Sequence, residues 1–324
     1  MLMLDRRMLL RAGSAAVGAA ALAPTVPALA HAPQAGKRAQ PSFYRFKLGT
    51  IEITVISDGT LAFPAETLWG DRAEEARVLL TSTFQLPSPV GLEINTLLVN
   101  TGDKLVLIDA GCGVDKFQKT NGRLLGNLAA AGYAPGDIDT ILFTHFHFDH
   151  LWGISDRENT SLLFPSAEFV ASETEVVFWS DPELAGKLPP AQLPLVTQTN
   201  LKLASPRLHA IKAGAEVAPG VTTLDTAGHT PGHISVHISS GREELLLTGD
   251  VVVDSEVSFV HPEWPFGFDI DVPMGTKTRM AFLDRAAADR TLVGGYHLPF
   301  PGFGHAVRGG SAYRWLPADW QWTS

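Results

Sequence analysis

The chain has 324 residues, of which 45% are hydrophobic and 18% are charged, a composition typical of a globular protein with a sizeable core. Its net charge of −9 and its lack of a long Lys or Arg run disfavour enzymes that bind nucleic-acid backbones. The single cysteine, Cys112, excludes an intrachain disulfide. We expect a buried, inert thiol at this position, and a thiol next to a metal is the alternative.

The N-terminal residues predict an export signal. Arg6 and Arg7 precede a short Ala-rich apolar stretch, and Ala28-Leu29-Ala30 has the small residues of a cleavage site. The pattern is typical of a twin-arginine signal peptide over residues 1–30, followed by a linker over 31–40. A membrane anchor is the alternative, but the apolar stretch is too short to span a bilayer. We therefore expect a periplasmic or secreted protein without stable membrane association.

From residue 43 onward the sequence predicts strands with helices between them. Apolar residues alternate or run together, as in strands, over 43–48, 51–55, 95–100, 105–108, 137–144, 168–171, 234–238 and 244–247, and a turn is expected at 57–60. Helical spacing or a capping box predicts helices over 122–131, 172–179 and 276–289. The proline-rich stretch 182–194 predicts an irregular loop over the site. Periodicity alone indicates an α+β or α/β fold.

The stretch after the apolar run 141–143 is rich in metal-ligating side chains. His145, His147, Asp149 and His150 fall within six residues, and this density disfavours the alternative of two histidines lining a strand. Further donors follow other apolar strands or glycine-punctuated turns, and they are His229, Asp250 and His297. Imidazole nitrogens and carboxylate oxygens suit zinc and similar divalent metals.

The order His-x-His-x-Asp-His, then Gly-His, Gly-Asp and a last His resembles the metallo-β-lactamase superfamily, in the branch that holds two metals. The resemblance implies an α+β fold for residues 41–324, a four-layer αβ/βα sandwich. It also implies that His145, His147 and His229 hold one metal, that Asp149, His150 and His297 hold the other, and that Asp250 bridges them. Zinc is expected, and manganese, cobalt or iron could replace it.

The same resemblance gives roles to residues around the metals. Asp109 would orient the metal-binding histidines, with an ordinary turn aspartate as the alternative. His233 and His305 lie in stretches that match the family, and we expect them to support the ligands. Asp149 would also take or return a proton near the leaving group, so that Asp149 and Asp250 are the predicted catalytic residues.

Within the superfamily, the motifs Ser57-Asp58-Gly59-Thr60, Asn121-Gly122-Arg123-Leu124 and His297-Leu298 resemble the methyl parathion hydrolases. This likeness implies that a hydroxide between two metals attacks neutral hydrophobic esters, such as organophosphate triesters and aryl lactones. Phe117 and Trp179 fall where that family has aromatic pocket walls, with a core tryptophan as the alternative for Trp179. Relatives of this type are often homodimers.

Two departures keep other functions open. Acyl-homoserine lactonases of this fold commonly have a tyrosine three residues after the bridging aspartate, and Val253 stands there. The aromatic loop, residues 258–271, does not follow the methyl parathion hydrolase pattern. An N-acyl-homoserine lactone lactonase is therefore the alternative function. A non-catalytic binding protein on the same fold should lack one of the seven predicted ligands, and none is missing.

Overall fold

Two seven-stranded sheets carry the fold of residues 42–321, the part of the chain that the computed structural model describes. The predicted signal peptide and linker lie outside the described residues. The strands of the first sheet follow one another in chain order: β1 Phe43–Leu48, β2 Ile51–Phe63, β3 Val90–Asn100, β4 Leu105–Ile108, β5 Thr140–Leu142, β6 Glu168–Ser172 and β7 Leu208–Ile211. Pairing is antiparallel from β1 to β4 and parallel from β4 to β7.

The second sheet contains the later strands, also in chain order: β8 Glu216–Ala218, β9 Val221–Asp225, β10 Ile234–Ser240, β11 Glu243–Leu247, β12 Leu292–Gly294, β13 Phe303–Gly309 and β14 Ala312–Pro317. Only β11 and β12 are parallel among its described pairs. Parallel neighbours end at the same edge of a sheet, so loops that follow β4 and β5, or β11 and β12, come together.

Helices connect the strands and cover the outer faces of the sheets. The α-helices are α1 Ala65–Trp69, α2 Ala73–Ser82, α3 Leu124–Ala130, α4 Phe148–Leu151, α5 Glu173–Trp179, α6 Leu184–Lys187, α7 Pro194–Ala204, α8 Val257–Val260 and α9 Val272–Asp289. Short 3-10 helices span Gly70–Arg72, Pro135–Asp137, Trp152–Ile154, Pro190–Gln192 and Ser205–Arg207. Among residues 42–321, no helix combines the length and the apolar composition needed to cross a membrane.

Alternation along the strands divides the apolar side chains between an inner and an outer layer. Val99 of β3 packs between the sheets with Val236 of β10, whereas the neighbouring Leu98 faces the helices of the first sheet. In the second sheet, Leu246 of β11 packs on Phe282 of α9. The molecule is therefore helix, sheet, sheet and helix in layers, and the predicted four-layer α+β sandwich is confirmed.

Two local predictions are wrong. Residues 57–60 form no turn, because β2 runs through them with a bulge between Ser57 and Gly59. The segment 182–194 is largely helical, since it contains α6, the 3-10 helix Pro190–Gln192 and the start of α7. By contrast, the predicted helix after Ser172 is confirmed as α5, and its cap is the Ser172 hydroxyl, which accepts a hydrogen bond from Glu175 N at 3.1 Å.

Candidate metal centre

All seven predicted ligands lie in loops that follow strands at one edge of the sandwich. The first sheet supplies four of them in the loop and short helix after β5, which ends at Leu142. The second sheet supplies His229 after β9, Asp250 after β11 and His297 after β12. Because β11 and β12 are parallel, Asp250 and His297 leave the sheet side by side.

Four of these side chains form the first donor group, His145, His147, His229 and Asp250. All four are buried, and one donor atom from each lies within 4.8 Å of the others. His147 Nδ1 is 2.9 Å from His145 Nε2 and 2.9 Å from His229 Nε2. Asp250 Oδ2 is 3.3 Å from His229 Nε2.

The second donor group is Asp149, His150 and His297, also buried and within 4.8 Å of one another. His297 Nε2 is 3.3 Å from Asp149 Oδ2 and 3.2 Å from Asp250 Oδ2. Asp250 Oδ1 in turn is 3.2 Å from His150 Nε2. Asp250 therefore lies between the two groups, as a residue that contacts both must.

The chemistry of this centre fits two divalent cations. The Nδ1 atoms of His150, His229 and His297 contact Asp109 Oδ2, Asp269 Oδ1 and the Glu93 carbonyl, away from the centre, so that Nε2 of each ring is the atom that faces inward. His147 Nδ1 lies 2.9 Å from ring nitrogens of both His145 and His229, so three ring nitrogens converge closely enough to bind one cation. Within residues 42–321, His150 Nε2 and Asp250 Oδ1 have no hydrogen-bond partner although they are buried.

The pKa values of the histidines in the centre also indicate a site for cations. Burial lowers the pKa values of His145 and His147 well below that of free imidazole. Burial also disfavours protonated His229 and His297, but the charge and hydrogen bonds of Asp250 outweigh it and raise their pKa values to about 9 and about 10. Protons on these rings thus compensate the carboxylates, and a metal cation that binds here must displace them.

Asp109 contacts the second donor group and the loop that carries it. Its Oδ2 accepts from His150 Nδ1 at 2.8 Å, and its Oδ1 accepts from Thr144 N at 2.8 Å. Asp109 follows β4 directly and has a φ of +61°, a conformation that non-glycine residues adopt at some energetic cost. This backbone geometry turns the carboxylate toward the histidine loop that follows the neighbouring strand β5.

His233 supports the central aspartate. Its Nε2 accepts from Asp250 N at 3.0 Å, and its ring lies 5.1 Å from the ring of His145. Burial lowers the pKa of His233 to about 3, so Nε2 stays free to accept this bond. Gly249 makes the approach possible, because a Cβ at this residue would lie 2.5 Å from His233 Nε2.

Three supporting residues were missed by sequence reasoning. Glu175 is fully buried and accepts hydrogen bonds from Phe146 N and from Gly232 N, one in each histidine loop. Asp269 accepts from His229 Nδ1 at 2.9 Å. Tyr296 stacks on His150 at 4.0 Å and donates its hydroxyl to the Asp149 carbonyl at 2.6 Å. In the sequence, Glu175 had only the signal of a capping box and Asp269 only its place in the aromatic loop, and neither signal indicated a contact with the donor groups.

A cavity with aromatic walls opens onto the two donor groups. Its lining contains His147, Asp149, Asp250 and His297, together with four phenylalanines: Phe63, Phe148, Phe266 and Phe268. Phe117 lies beside this wall, since it is partly exposed and its ring centroid is 4.5 Å from that of Phe148. The aromatic loop therefore contributes two of the walls, through Phe266 and Phe268.

The structure places two predicted site residues elsewhere. Trp179 is wholly buried behind His147, with its Nε1–H donated to Glu175 Oε1 at 2.7 Å, and it does not line the cavity over Asp250. His305 lies in β13, and its Nδ1 contacts the Thr291 carbonyl at 3.3 Å rather than any of the seven donors. Cys112 is buried as expected, and burial raises the pKa of its thiol well above the usual value.

Similarity to known proteins agrees with this geometry. The family described as the Metallo-beta-lactamase superfamily matches residues 90–156 and 170–312. An N-acyl homoserine lactonase from Bacillus sp is 32% identical over 160 residues, which are 49% of this chain and 56% of the relative. The chain thus spans about half the length of that curated relative.

Two solved structures are similar over most of their length. AidC, a dizinc quorum-quenching lactonase in complex with a product, is 30% identical with a TM-score of 0.78, and the match covers 86% of this chain and 98% of AidC. The hydrolase AbOPH, of the beta lactamase superfamily, is 32% identical with a TM-score of 0.80, and the match covers 88% and 100% of the two chains.

Proposed function

The chain belongs to the metallo-β-lactamase superfamily, and from this we propose that it is a metal-dependent hydrolase of lactones, with N-acyl homoserine lactones as the leading substrate class. One observation carries the proposal: seven buried donors form two adjoining groups, and four of the seven line a cavity with phenylalanine walls. The lactone class is supported by the similarity of the chain to an N-acyl homoserine lactonase and to the lactonase AidC. This order reverses the sequence prediction, in which organophosphate triesters came first.

The two donor groups would each hold one divalent ion. His145, His147 and His229 would bind the first, Asp149, His150 and His297 the second, and Asp250 would contact both. When bound, such ions polarise an ester carbonyl and lower the pKa of a water molecule to about 7. Zinc is the proposed metal, because the donors are nitrogen and oxygen and because the similar AidC is dizinc. Manganese, cobalt or iron are the alternatives.

Asp149 is proposed to transfer a proton from the attacking water to the leaving alkoxide. Lactone hydrolysis joins a water oxygen to the carbonyl carbon and breaks the ring carbon–oxygen bond, so one proton must pass from water to the leaving alkoxide. Asp149 lines the cavity, and its Oδ2 faces His297 and His150. Its Oδ1 is the atom that we propose carries this proton.

The phenylalanine walls are proposed to bind the acyl chain of the substrate and to exclude water. An apolar wall favours a neutral hydrophobic chain over a charged one. Burial of each methylene contributes about 0.8 kcal/mol, which corresponds to about a fourfold change in affinity. We therefore expect KM to fall about fourfold per added methylene until the cavity is filled.

The test is a substrate panel with zinc-, manganese- and cobalt-loaded protein. It contains acyl homoserine lactones of increasing chain length, dihydrocoumarin, an aryl acetate and methyl paraoxon, with the Asp250→Asn variant as the inactive control. We expect kcat/KM to be highest for a long-chain acyl lactone and to be lost in Asp250→Asn. A higher kcat/KM for methyl paraoxon than for every lactone would overturn the proposed substrate class.

Hydrolysis of aryl esters and phosphotriesters is the second candidate. It is favoured by the uncharged aromatic lining at Phe63, Phe148, Phe266 and Phe268, which suits an aromatic leaving group. Val253 also weakens the lactonase reading, because it is buried in the apolar core and supplies no hydroxyl where lactonases commonly have a tyrosine. The substrate panel separates the two candidates.

We also propose that the folded protein is exported. Arg6-Arg7 and the small residues Ala28-Leu29-Ala30 support this proposal, and they lie outside the described residues. A twin-arginine route carries folded proteins, which would let the metals bind before export. Fractionation of cells that express the full chain, with Arg6-Arg7→Lys-Lys as the matched variant, tests it: the wild type should reach the periplasm or medium and the variant should stay in the cytoplasm.

A further inference from the structure

A buried arginine joins the aromatic loop to the candidate metal centre. Arg279 lies in α9, and only 3% of its side chain is exposed. Its Nε donates to the Val251 carbonyl at 2.9 Å, directly after Asp250. Its Nη1 donates to the Trp264 carbonyl at 2.8 Å, and its Nη2 donates to Asp269 Oδ2 at 2.9 Å. One guanidinium thus contacts the strand end that carries Asp250 and two points of the aromatic loop.

Asp269 continues this connection to the first donor group. Its side chain is fully buried, and its Oδ1 accepts from His229 Nδ1 at 2.9 Å while its Oδ2 faces Arg279. The backbone adds two further bonds, from Ile270 N to the His229 carbonyl at 2.9 Å and from Asp271 N to the Gly228 carbonyl at 3.0 Å. The end of the aromatic loop is therefore bonded to the His229 turn through both side chain and backbone.

The same loop forms part of the pocket wall. Phe266 and Phe268 line the cavity, and the ring of Phe266 lies 5.9 Å from the ring of His229 at an angle of 30°. Phe266 and Asp269 are separated by only two residues, so a shift of the loop moves the wall and the support of His229 together. Arg279 is one of the side chains that limit such a shift, through its bonds to Trp264 and Asp269.

We infer that Asp269 and Arg279 are positioning residues that couple the aromatic loop to His229. A change in the shape of the pocket would then also change the affinity of the first donor group for its metal. The substrate part of this inference rests on the proposed function. An arginine suits the task, because its planar group reaches several acceptors in a fixed geometry and a lysine ammonium does not. A carboxylate behind a metal-binding histidine fixes the tautomer and orientation of the ring.

Two substitutions with a matched control test the coupling. In Asp269→Asn, the amide cannot accept from both His229 and Arg279, so one buried donor loses its partner. In Arg279→Lys the positive charge remains, but the planar guanidinium that donates to Val251, Trp264 and Asp269 is lost. Arg285→Lys is the control, because Arg285 lies on the same helix, is half exposed and pairs only loosely with Asp289 at 3.7 Å.

The readouts separate positioning from mere stability. For both variants we expect zinc affinity at the first donor group to fall about 10- to 100-fold and the visible spectrum of the cobalt-loaded protein to change. We also expect the ratio of KM values for long- and short-chain substrates to change more than kcat. The inference is wrong if both variants have a lower Tm but the same zinc affinity and the same cobalt spectrum as the Arg285→Lys control.

A measurement on the unaltered chain covers the case in which a variant does not fold. Hydrogen exchange is compared between zinc-loaded and chelator-treated wild-type protein. Removal of zinc frees His229, so the amides of Ile270 and Asp271 should exchange faster, whereas α3, which packs on β1 and β2, serves as an unaffected reference. Unchanged exchange at Ile270 and Asp271 would overturn the coupling.

The outcomes also separate this inference from the proposed function. If no lactone is hydrolysed but zinc affinity and exchange respond as expected, the proposed substrate class fails and the coupling stands. If lactones are hydrolysed and both variants bind zinc like Arg285→Lys, the coupling fails and the proposed function stands.

Discussion

Glu175→Gln should weaken both the fold and the first donor group. The Glu175 carboxylate accepts four hydrogen bonds in the interior: Oε1 accepts from Phe146 N at 2.8 Å and from Trp179 Nε1 at 2.7 Å, and Oε2 accepts from Thr230 Oγ1 at 2.7 Å and from Gly232 N at 3.1 Å. Glutamine replaces one of these oxygens with an NH₂ group. With that group at the Oε2 position, the Thr230 hydroxyl can turn and accept from it, but Gly232 N would face another donor.

The magnitude follows from the number of lost partners. A buried donor without a partner costs about 1–3 kcal/mol, and Glu175→Gln leaves one such donor. Burial raises the pKa of Glu175, which means that its buried charge is itself unfavourable, and removing that charge offsets part of the loss. We expect the free energy of unfolding to fall by about 1–3 kcal/mol.

The effect should reach the metal centre because of where the donors lie. Phe146 stands between His145 and His147, while Thr230 and Gly232 follow His229 closely in the chain. When these loops loosen, the three histidines lose their alignment, and zinc affinity should fall about 10- to 100-fold.

Urea unfolding of the zinc-free protein measures the first effect, and competition with a chromophoric chelator measures the second. Glu173→Gln is the matched control, since Glu173 lies on the same helix and is exposed. If Glu175→Gln unfolds within about 0.5 kcal/mol of the control and holds zinc equally well, the hydrogen-bond argument is refuted.

Three other changes have expected outcomes. Burial raises the pKa of Asp58 from 3.8 to about 6, so the native state binds more protons between these values, and stability should fall by about 3 kcal/mol as the pH rises through that range. Urea unfolding between pH 4 and 7 should show this slope in the wild type, and an equal slope in Asp58→Asn would contradict the assignment. Asp109→Asn should weaken zinc binding at the second donor group about 10- to 100-fold, because one amide oxygen cannot accept from both His150 Nδ1 and Thr144 N. A zinc titration that matches the wild type would argue against this role. Phe117→Ala should raise KM about 2- to 10-fold with little change in kcat, whereas Phe84→Ala, at a fully exposed phenylalanine, should leave both unchanged.

The ligands could be predicted from the sequence because their signals are local. His145, His147, Asp149 and His150 lie in one short stretch after an apolar run, and strand ends of parallel neighbours meet at one edge. The role of Asp109 was predicted in the same way, because this aspartate comes directly after a strand. The paired strands were predicted because apolar residues alternate along them.

The supporting residues needed contacts between distant parts of the chain. In the sequence, Glu175 stands at the N3 position of a capping box that begins at Ser172. Only the fold shows that its carboxylate turns inward to Phe146 and Gly232. Asp269 is one of several polar residues in the aromatic loop, and its role depends on the approach of His229. His305 lies in a stretch that resembles the family, but the pairing of β13 directs it to Thr291.

The two wrong local predictions have physical reasons. Proline favours loops in general, but Pro194 occupies the first turn of α7, where the missing N–H has no intrahelical partner to lose. The residues Ser57-Asp58-Gly59-Thr60 have the composition of a turn. In the long strand β2 they instead form a bulge, and Gly59 supplies its φ of +113°.

The order of the ligands along the chain sets when the centre can be assembled. The first sheet contributes its four donors before residue 151, whereas His297, the last donor, follows β12 close to the C-terminus. During synthesis on the ribosome, the nascent chain therefore presents four of the seven donors until His229 emerges, and the second donor group stays incomplete until His297 has emerged. Stable metal capture must wait for the second sheet to close over the first, so that a truncated or stalled product would carry exposed histidines and no complete centre.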